Sequence, residues 1–302
     1  MNELATVAIV VPCKNVAHIV DQCINSLIQQ EYPQDKFSII AVNDGSIDNT
    51  KEHLEFFKTH PNFFLFDHEK NKGLSAARNT GIKNSQSDIV CFLDSDMVIQ
   101  PDWLQQIVAE FVGEEVIGII GDTILPKGED PNILDHYFYS DKRGARQFGE
   151  NSAISWRWFL FNNTAVKRSA LKKTGMFDEV FTSYGGEDTD MAIRLWRNFP
   201  DALRFSSKIN AEHHHKRTLN QFCKQMEIYG RTNLPLLLYR YPEYNKELAG
   251  DWVTTWRGRL LFNVVFSKLL RLINIILPNI NITRYLVVYS VICGVREANY
   301  RR

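Results

Sequence analysis

Two aspartates spaced two residues apart, Asp94 and Asp96, close a short apolar run from Ile89 to Leu93. The run is β-prone and carries no polar residue on either face, so it reads as a strand buried on both sides of a parallel sheet. Residues i and i+2 of a strand point the same way, and such strands open at their carboxyl ends into ligand crevices. Both carboxylates can therefore reach one region of space, where they repel each other unless positive charge lies near. A hard divalent cation carrying a phosphate-bearing ligand meets that need, because Mg2+-like ions take few protein carboxylates and complete their shell with phosphate and water. A solvated acidic turn is the plain alternative, since D-x-D is common by chance.

Two further clusters could do chemistry. In Gly185-Gly186-Glu187-Asp188-Thr189-Asp190 the glycines permit a tight turn, and the acids open a helix carrying Met191, Ile193, Leu195 and Trp196. Acids at a helix start are ordinarily caps or dipole partners. His213, His214 and His215 follow a strand expected from about Leu203 and precede a helix starting near Thr218. Neighbours on a strand face opposite sides, so all three cannot meet one metal. Ile209, Ala211 and His213 share a face, which makes His213 the first choice as a further metal ligand and His215 the second. Surface imidazoles with one packed inward are the plain alternative.

The elements that must position these groups alternate strand and helix. Val7 to Val11 is a β-branched run halted by Pro12. Ile19, Val20, Cys23, Ile24, Leu27 and Ile28 recur at helical spacing until Tyr32-Pro33. Phe37 to Val42 is a second strand, followed by a helix capped at Asp48 or Asn49; Phe63 to Phe66 is a third strand, and Ser75 to Lys83 is helical. This βαβαβαβ run predicts an α/β fold with a mostly parallel sheet and right-handed crossovers. Polar residues collect at the strand ends: Pro12 and Asn15, Asp44-Gly45-Ser46, Lys72-Gly73 with Arg78-Asn79, then Asp94 and Asp96. Parallel strands set these along one sheet edge, where a nucleotide can be laid across them. Asp44 suits a base N–H, Lys72 and Arg78 suit phosphate, and Gly45 and Gly73 let backbone approach a ligand. Taken singly, Asp-Gly is a plain turn and Arg78 a solvated helix face.

The 302 residues are 44% hydrophobic and 23% charged, enough for a large globular core. Net charge is zero but uneven: from Asp251 onward eight Lys and Arg face two Asp and Glu. A basic, hydrophobic tail suggests an anionic lipid partner, and no nucleic-acid partner is expected. Five cysteines without a C-x-x-C pair read as buried thiols of a reducing compartment. No apolar leader precedes the first strand, so a cytoplasmic location is expected, peripheral at the inner face of the membrane.

Val10-Val11-Pro12-Cys13-Lys14-Asn15, Val42-Asn43-Asp44-Gly45-Ser46-Ile47-Asp48-Asn49-Thr50, Asn71-Lys72-Gly73-Leu74-Ser75-Ala76-Ala77-Arg78-Asn79 and Phe92-Leu93-Asp94-Ser95-Asp96 resemble the successive motifs of the family 2 glycosyltransferases. The resemblance runs over about residues 5 to 240 and implies a GT-A fold, an α/β sandwich that binds a nucleotide-diphosphate sugar. It implies that Pro12, Asn15 and Asp44 contact nucleobase and ribose, with Asp44 reading uracil if the donor is a UDP-sugar. Arg78 would lie near the diphosphate and Asp94 would touch ribose or sugar, with Lys72, Gly73 and Ser95 also among the donor-binding residues, and Asp96 would hold Mn2+ or Mg2+. Asn43 departs from the pattern, where aspartate is frequent. Asn162-Asn163-Thr164-Ala165 and Gly175-Met176-Phe177-Asp178-Glu179 resemble the floor of the donor sugar pocket. In an inverting transfer one carboxylate takes the acceptor hydroxyl's proton; Asp188 occupies the family's catalytic-base position, with Glu187 orienting or touching acceptor. The aromatic stretch holding Tyr137, Phe138, Tyr139, Trp156, Trp158 and Phe159 suits sugar faces or simple packing.

Residues 1–240 are thus read as the catalytic domain and 241–302 as a helical, amphipathic appendage. Leu260 to Leu277 is apolar, yet Asn263, Ser267, Lys268, Arg271 and Asn274 form one stripe. Charges in its middle oppose a spanning helix, for which about 20 apolar residues are needed. With the apolar run Tyr285 to Val295 it predicts peripheral membrane contact through 260–295; packing on the catalytic domain or a homodimer is the alternative. The leading expectation is a metal-dependent inverting glycosyltransferase acting on a hydroxyl of a glycan or lipid-linked acceptor. A sugar nucleotidyltransferase would need a Gly-rich basic loop after the first strand, which Pro12-Cys13-Lys14-Asn15 is not. A non-catalytic sugar-binding scaffold would not need Asp94, Asp96, Glu187 and Asp188 together.

Overall fold

The computed structural model describes residues 4–111, 115–150 and 152–300. The chain alternates as the hydrophobic pattern requires: β1 (Val7–Cys13), α1 (Val20–Ile28), β2 (Phe37–Asp44), α2 (Thr50–Glu55), β3 (Phe63–His68), α3 (Leu74–Lys83) and β4 (Ile89–Leu93). Every residue of β4 is buried, as expected of a strand covered on both faces. Then follow β5 (Met97–Ile99), α4 (Trp103–Glu110), β6 (Gly118–Ile124), α5 (Ile133–Phe138), β7 (Asn163–Lys167), α6 (Arg168–Thr174), α7 (Glu187–Asn198) and β8 (Leu203–His213). The remainder is helical: α8 (Leu219–Arg240), α9 (Gly250–Thr254), α10 (Trp256–Leu261), α11 (Val264–Ile276) and α12 (Ile280–Tyr300).

The sheet has the order β3-β2-β1-β4-β7-β6-β8-β5. Strands β3, β2, β1 and β4 are parallel, so their carboxyl ends share one edge. Beyond β4 the sheet is mixed, because β7 runs antiparallel to both β4 and β6, and β5 antiparallel to β8. The mostly parallel sheet inferred from sequence therefore holds for the half that carries the βα units.

Alternate residues of β1 feed two cores, as the period of a strand dictates. Val7, Ile9 and Val11 join Ile24 and Leu27 of α1 and Trp103, Leu104 and Ile107 of α4. Ala8 faces the other way, with Ile40, Val42 and Ala77 of α3. Burying each large aliphatic side chain contributes about 1.5–3 kcal/mol. α3 lies unusually close, since a Cβ on Gly81 would stand 2.3 Å from Cγ1 of Val10. Any side chain there would lift the helix that carries Arg78. Asn163 of β7 clamps the sheet's polar interior: it accepts from Nε1 of Trp103 and donates to the carbonyls of Asp122 and Ile209.

The described chain groups into two compact units, Met1–Gly128 with Asp141–Thr182 and Glu187–His215, and Glu129–Ser140 with Ser183–Gly186 and Lys216–Arg302. In the second unit α8 begins with a capping box between Thr218 and Gln221. α8 and α12 approach backbone to backbone at two glycines: a Cβ on Gly230 or Gly294 would stand 2.0 Å from the carbonyl oxygen of Val291 or Glu227. Leu286 and Val287 of α12 bury with Leu134, Tyr137 and Phe222. The apolar run Tyr285 to Val295 is thus largely interior packing of this unit, which corrects its expected contribution to a membrane face.

α11 is turned inside out. Its two buried residues are Ser267 and Asn274, while Val264, Val265, Phe266, Leu269, Leu272, Ile275 and Ile276 are exposed. Hydrogen bonds explain the orientation. Asn274 donates to Oγ1 of Thr283 and accepts from the N–H of Asn279, and Arg271 donates to Oδ1 of Asn220. Among the described residues, no helix is long and apolar enough to cross a membrane.

Candidate active site

The ends of β1, β2 and β3 carry three loops zipped together by side chains. The N–H of Asn15 donates to Oγ of Ser46 at 3.1 Å, and the N–H of Ile47 returns a bond to Oδ1 of Asn15 at 2.9 Å. Asn15 accepts a positive φ of 54° to do so, a conformation Asn tolerates better than most residues. Asp44 joins the second loop to the third. Its Oδ1 accepts from the N–H of Lys72 at 2.8 Å and its Oδ2 from the N–H of Gly73 at 2.9 Å. Gly73 starts α3 with φ 95°, open to glycine but strained for other residues. Pro12 is half-buried, whereas the Lys72 side chain is exposed beside this loop edge. Asp44 is buried, and with the His68 proton on Nδ1 it accepts three hydrogen bonds, from His68 and from the N–H groups of Lys72 and Gly73.

Arg78 lies buried beside the end of β4. Only 1% exposed, it donates through Nη2 to the carbonyl of Phe161 at 2.9 Å and through Nη1 to Oδ1 of Asp188 at 2.5 Å. Asp94 lies 3.6 Å and Glu187 3.8 Å from its nitrogens. The guanidinium also stands 5.2 Å from the Phe177 ring centroid, a cation–π contact. Sequence reasoning set Arg78 beside phosphate; instead it is the internal counter-ion of three carboxylates. Burial works against its charge, but the carboxylates more than offset this and hold its pKa above the usual value.

One guanidinium cannot neutralise three carboxylates, and the surplus shows in the acids. Burial lifts Glu187 to about 7, with Asp188 adding to the rise and Arg78 opposing it. Glu187 is buried, and its Oε2 has no hydrogen-bond partner. Burial also pushes Asp94 upward, against the pull of Arg78 and with help from Asp96 and Asp188. With 34% of its side chain exposed, water moderates that rise. Asp188 keeps both oxygens oriented: Oδ2 accepts from the N–H of Phe161 at 3.2 Å, so the Phe161 peptide grips Asp188 and Arg78 together. Asp190 is interior, paired with Arg194, which also donates to the carbonyls of Thr174 and Met176.

The strand pairing of β5 with β8 sets Met97 opposite His213. Nε2 of His213 lies 3.4 Å from Oδ2 of Asp96, and the N–H of His214 donates to the carbonyl of Asp96 at 2.8 Å. The His215 ring centroid is 4.9 Å from that of His213. Ser95, in the turn between the two aspartates, is buried and hydrogen-bonds with the Cys13 thiol. Among the described residues no group of three or more His, Cys, Asp or Glu is drawn together as a metal shell. A carboxylate with an imidazole nevertheless fits Mn2+ as a donor set, provided phosphate and water supply the remaining ligands.

The aromatic stretch is mostly structural. Tyr137, Trp156 and Phe159 are buried, while Trp158 is half-buried against exposed Phe148. Asn163 and Thr164 are buried in β7, and Asn79 ties Phe177 by donating to its carbonyl and accepting from its N–H. Sequence reasoning missed His68, whose ring touches Asp44. The available signal was its place at the end of β3, in register with Asp44 at the end of β2. All five cysteines are free; burial pushes the Cys13 thiol up to about 12, which leaves it unreactive.

Comparison with known proteins bears on family and fold. Residues 8–181 match the model of Glycosyl transferase family 2. A probable glycosyltransferase of Bacillus subtilis (strain 168), YdaM, is 25% identical over 223 residues, 69% of this chain and 52% of the relative. The chain thus spans about half the length of that curated relative. A mannosyltransferase from Pyrobaculum calidifontis, solved with GDP-Man and Mn2+, superposes with TM-score 0.67 at 17% identity, covering 100% of this chain and 89% of the other. S. aureus TarS 1-349, solved with UDP, gives TM-score 0.57 at 15% identity over 98% and 92% of the two chains.

Proposed function

Because the chain belongs to glycosyl transferase family 2, with the fold of the GT-A enzymes, we propose that it transfers a sugar from a nucleotide-diphosphate donor to a hydroxyl. The observation that carries this reading is the carboxylate cluster around Arg78, in which Asp188 is held beside Asp94 at the carboxyl end of β4. In a single displacement the acceptor oxygen attacks the anomeric carbon, the bond from that carbon to phosphate breaks, and its electron pair leaves with the diphosphate. The acceptor proton passes to Asp188, and the configuration inverts. Arg78 and the Phe161 N–H aim Asp188, and each of its oxygens retains a lone pair for that proton. Asp96 and His213 would hold the cation, which when bound neutralises charge developing on the leaving diphosphate. Pro12, Asn15, Asp44, Lys72 and Gly73 form the bed for the nucleotide, with a UDP-sugar as first choice of donor. The acceptor is a glycan or lipid-linked hydroxyl. The test is a screen of UDP- and GDP-sugars for hydrolysis with Mn2+ or Mg2+ and with excess chelator. Metal-dependent release of nucleotide from one of them is expected; full activity in chelator would remove the metal from the reading.

The exposed apolar face of α11 supports a peripheral place on an anionic membrane. Residues 252–296 contain six Lys and Arg and no Asp or Glu, so this region complements acidic lipid. Trp252 and Trp256 extend the exposed apolar surface, and such rings favour the headgroup level. Apolar burial would provide most of the hold, with about 1 kcal/mol from each basic residue near the surface. The five free thiols support the cytoplasmic side. Flotation with anionic liposomes tests this: the protein should rise with the vesicles. Staying at the bottom as a dimer would instead make α11 a contact between two copies.

A further inference from the structure

The register of the β2–β3 ladder sets His68 directly opposite Asp44. Both side chains are buried. Nδ1 of His68 lies 2.7 Å from Oδ1 of Asp44, and Nε2 lies 2.9 Å from Oγ1 of Thr80 on α3. With its proton on Nδ1, the imidazole donates to the carboxylate and accepts from the Thr80 hydroxyl. Asp44 in turn anchors the N–H groups of Lys72 and Gly73. The next residue, Gly45, has φ 62°, and a Cβ on it would stand 2.4 Å from the backbone nitrogen of Asn71. The turn after β2 therefore rests on the backbone of the third loop, with the Asp44 carboxylate as the pin between them.

A buried carboxylate with three donors keeps one orientation; with one donor removed it can rotate about its side-chain bonds, and a buried acceptor left short of partners costs free energy. We propose that His68 is a positioning residue for the donor nucleotide. It locks Asp44, and through Asp44 the paired edges at 44–46 and 70–73 that would meet the base and ribose. This inference rests on the nucleotide-diphosphate reading of the site above.

The experiment is calorimetric titration of UDP and of GDP into the 302-residue chain and its variants, with folding checked by circular dichroism. His68→Phe keeps a ring but removes both hydrogen bonds, and it should weaken binding of the preferred nucleotide by about tenfold. His68→Asn restores a donor at the position of Nδ1, and it should recover most of that loss. Equal impairment by Phe and Asn would make the role one of packing and overturn the proposal, as would His68→Phe binding as tightly as wild type. If His68→Phe does not fold, Thr80→Val carries the test, removing only the outer bond, with a two- to fivefold loss expected and wild-type affinity overturning it. Wild type binding neither UDP nor GDP would instead overturn the donor reading, and this inference with it.

Discussion

Glu187→Gln should make the protein gain stability at alkaline pH relative to wild type, with a size set by the buried charge. Glu187 is 5% exposed, and burial raises its carboxyl from 4.5 to about 7. The native state therefore holds a proton that the unfolded chain has released across that interval. Its folded pKa exceeds its unfolded one, so the wild type loses stability as pH rises from about 4.5 to about 7 and stays lower above that. At about 1.4 kcal/mol per pH unit, the displacement corresponds to ~3 kcal/mol. Glutamine has the same size and no charge, so this pH-dependent part should vanish. Its amide can leave an unpaired donor near the position of Oε2, a cost of about 1–3 kcal/mol that is the same at every pH. The assay is urea unfolding of both proteins in chelator at pH 5 and pH 8. The stability difference, variant minus wild type, should be more positive at pH 8 by most of that ~3 kcal/mol. A difference that does not change between the two pH values would refute the argument that Glu187 is held protonated by burial and its acidic neighbours.

Further outcomes follow from the carboxylate cluster, the cation pair and α11. Arg78→Met should destabilise by about 3–5 kcal/mol at pH 8, because it leaves buried carboxylates without their counter-ion; thermal unfolding at pH 5, where Glu187 and Asp94 can protonate, should show a smaller loss. Asp96→Ala should abolish transfer and cation-dependent UDP binding while the melting temperature in chelator stays near that of wild type; unchanged UDP binding with Mn2+ would remove Asp96 from the cation site. Reversing charge at Lys268 and Arg271 should weaken flotation with anionic vesicles, and deletion after Asp251 should abolish it.

The first four strands and three helices were legible because each βα unit is local: apolar runs of four to six residues, Pro33 and Gly73 at the breaks, and polar residues where strands open. β7 was not, since Asn163-Thr164 reads as loop. It is a strand because the Asn163 side chain finds partners in Trp103, Asp122 and Ile209, which are remote in sequence. The Asp96–His213 pair was legible from alternation along β8, whereas the place of Arg78 was not. A guanidinium between nucleotide motifs reads as a phosphate ligand, and only the fold brings Glu187 and Asp188 to it, over a hundred residues later in the chain. The stripe on α11 was also legible, and its apolar face is exposed as a surface helix requires; the bonds that fix this direction were not. Ser267 and Asn274 face inward because Thr283 and the backbone of Asn279 offer them partners, which hydropathy alone does not encode.

The most direct test of the central claim is Asp188→Asn, measured for donor binding and for turnover in the same preparation. Asparagine keeps the size of the side chain and can still accept from Arg78, but it cannot take the acceptor's proton. Nucleotide-sugar affinity should stay within about threefold of wild type while turnover falls by about 10² to 10⁴. Turnover close to wild type, or a loss of donor affinity matching the loss of turnover, would contradict the assignment of Asp188 as the base.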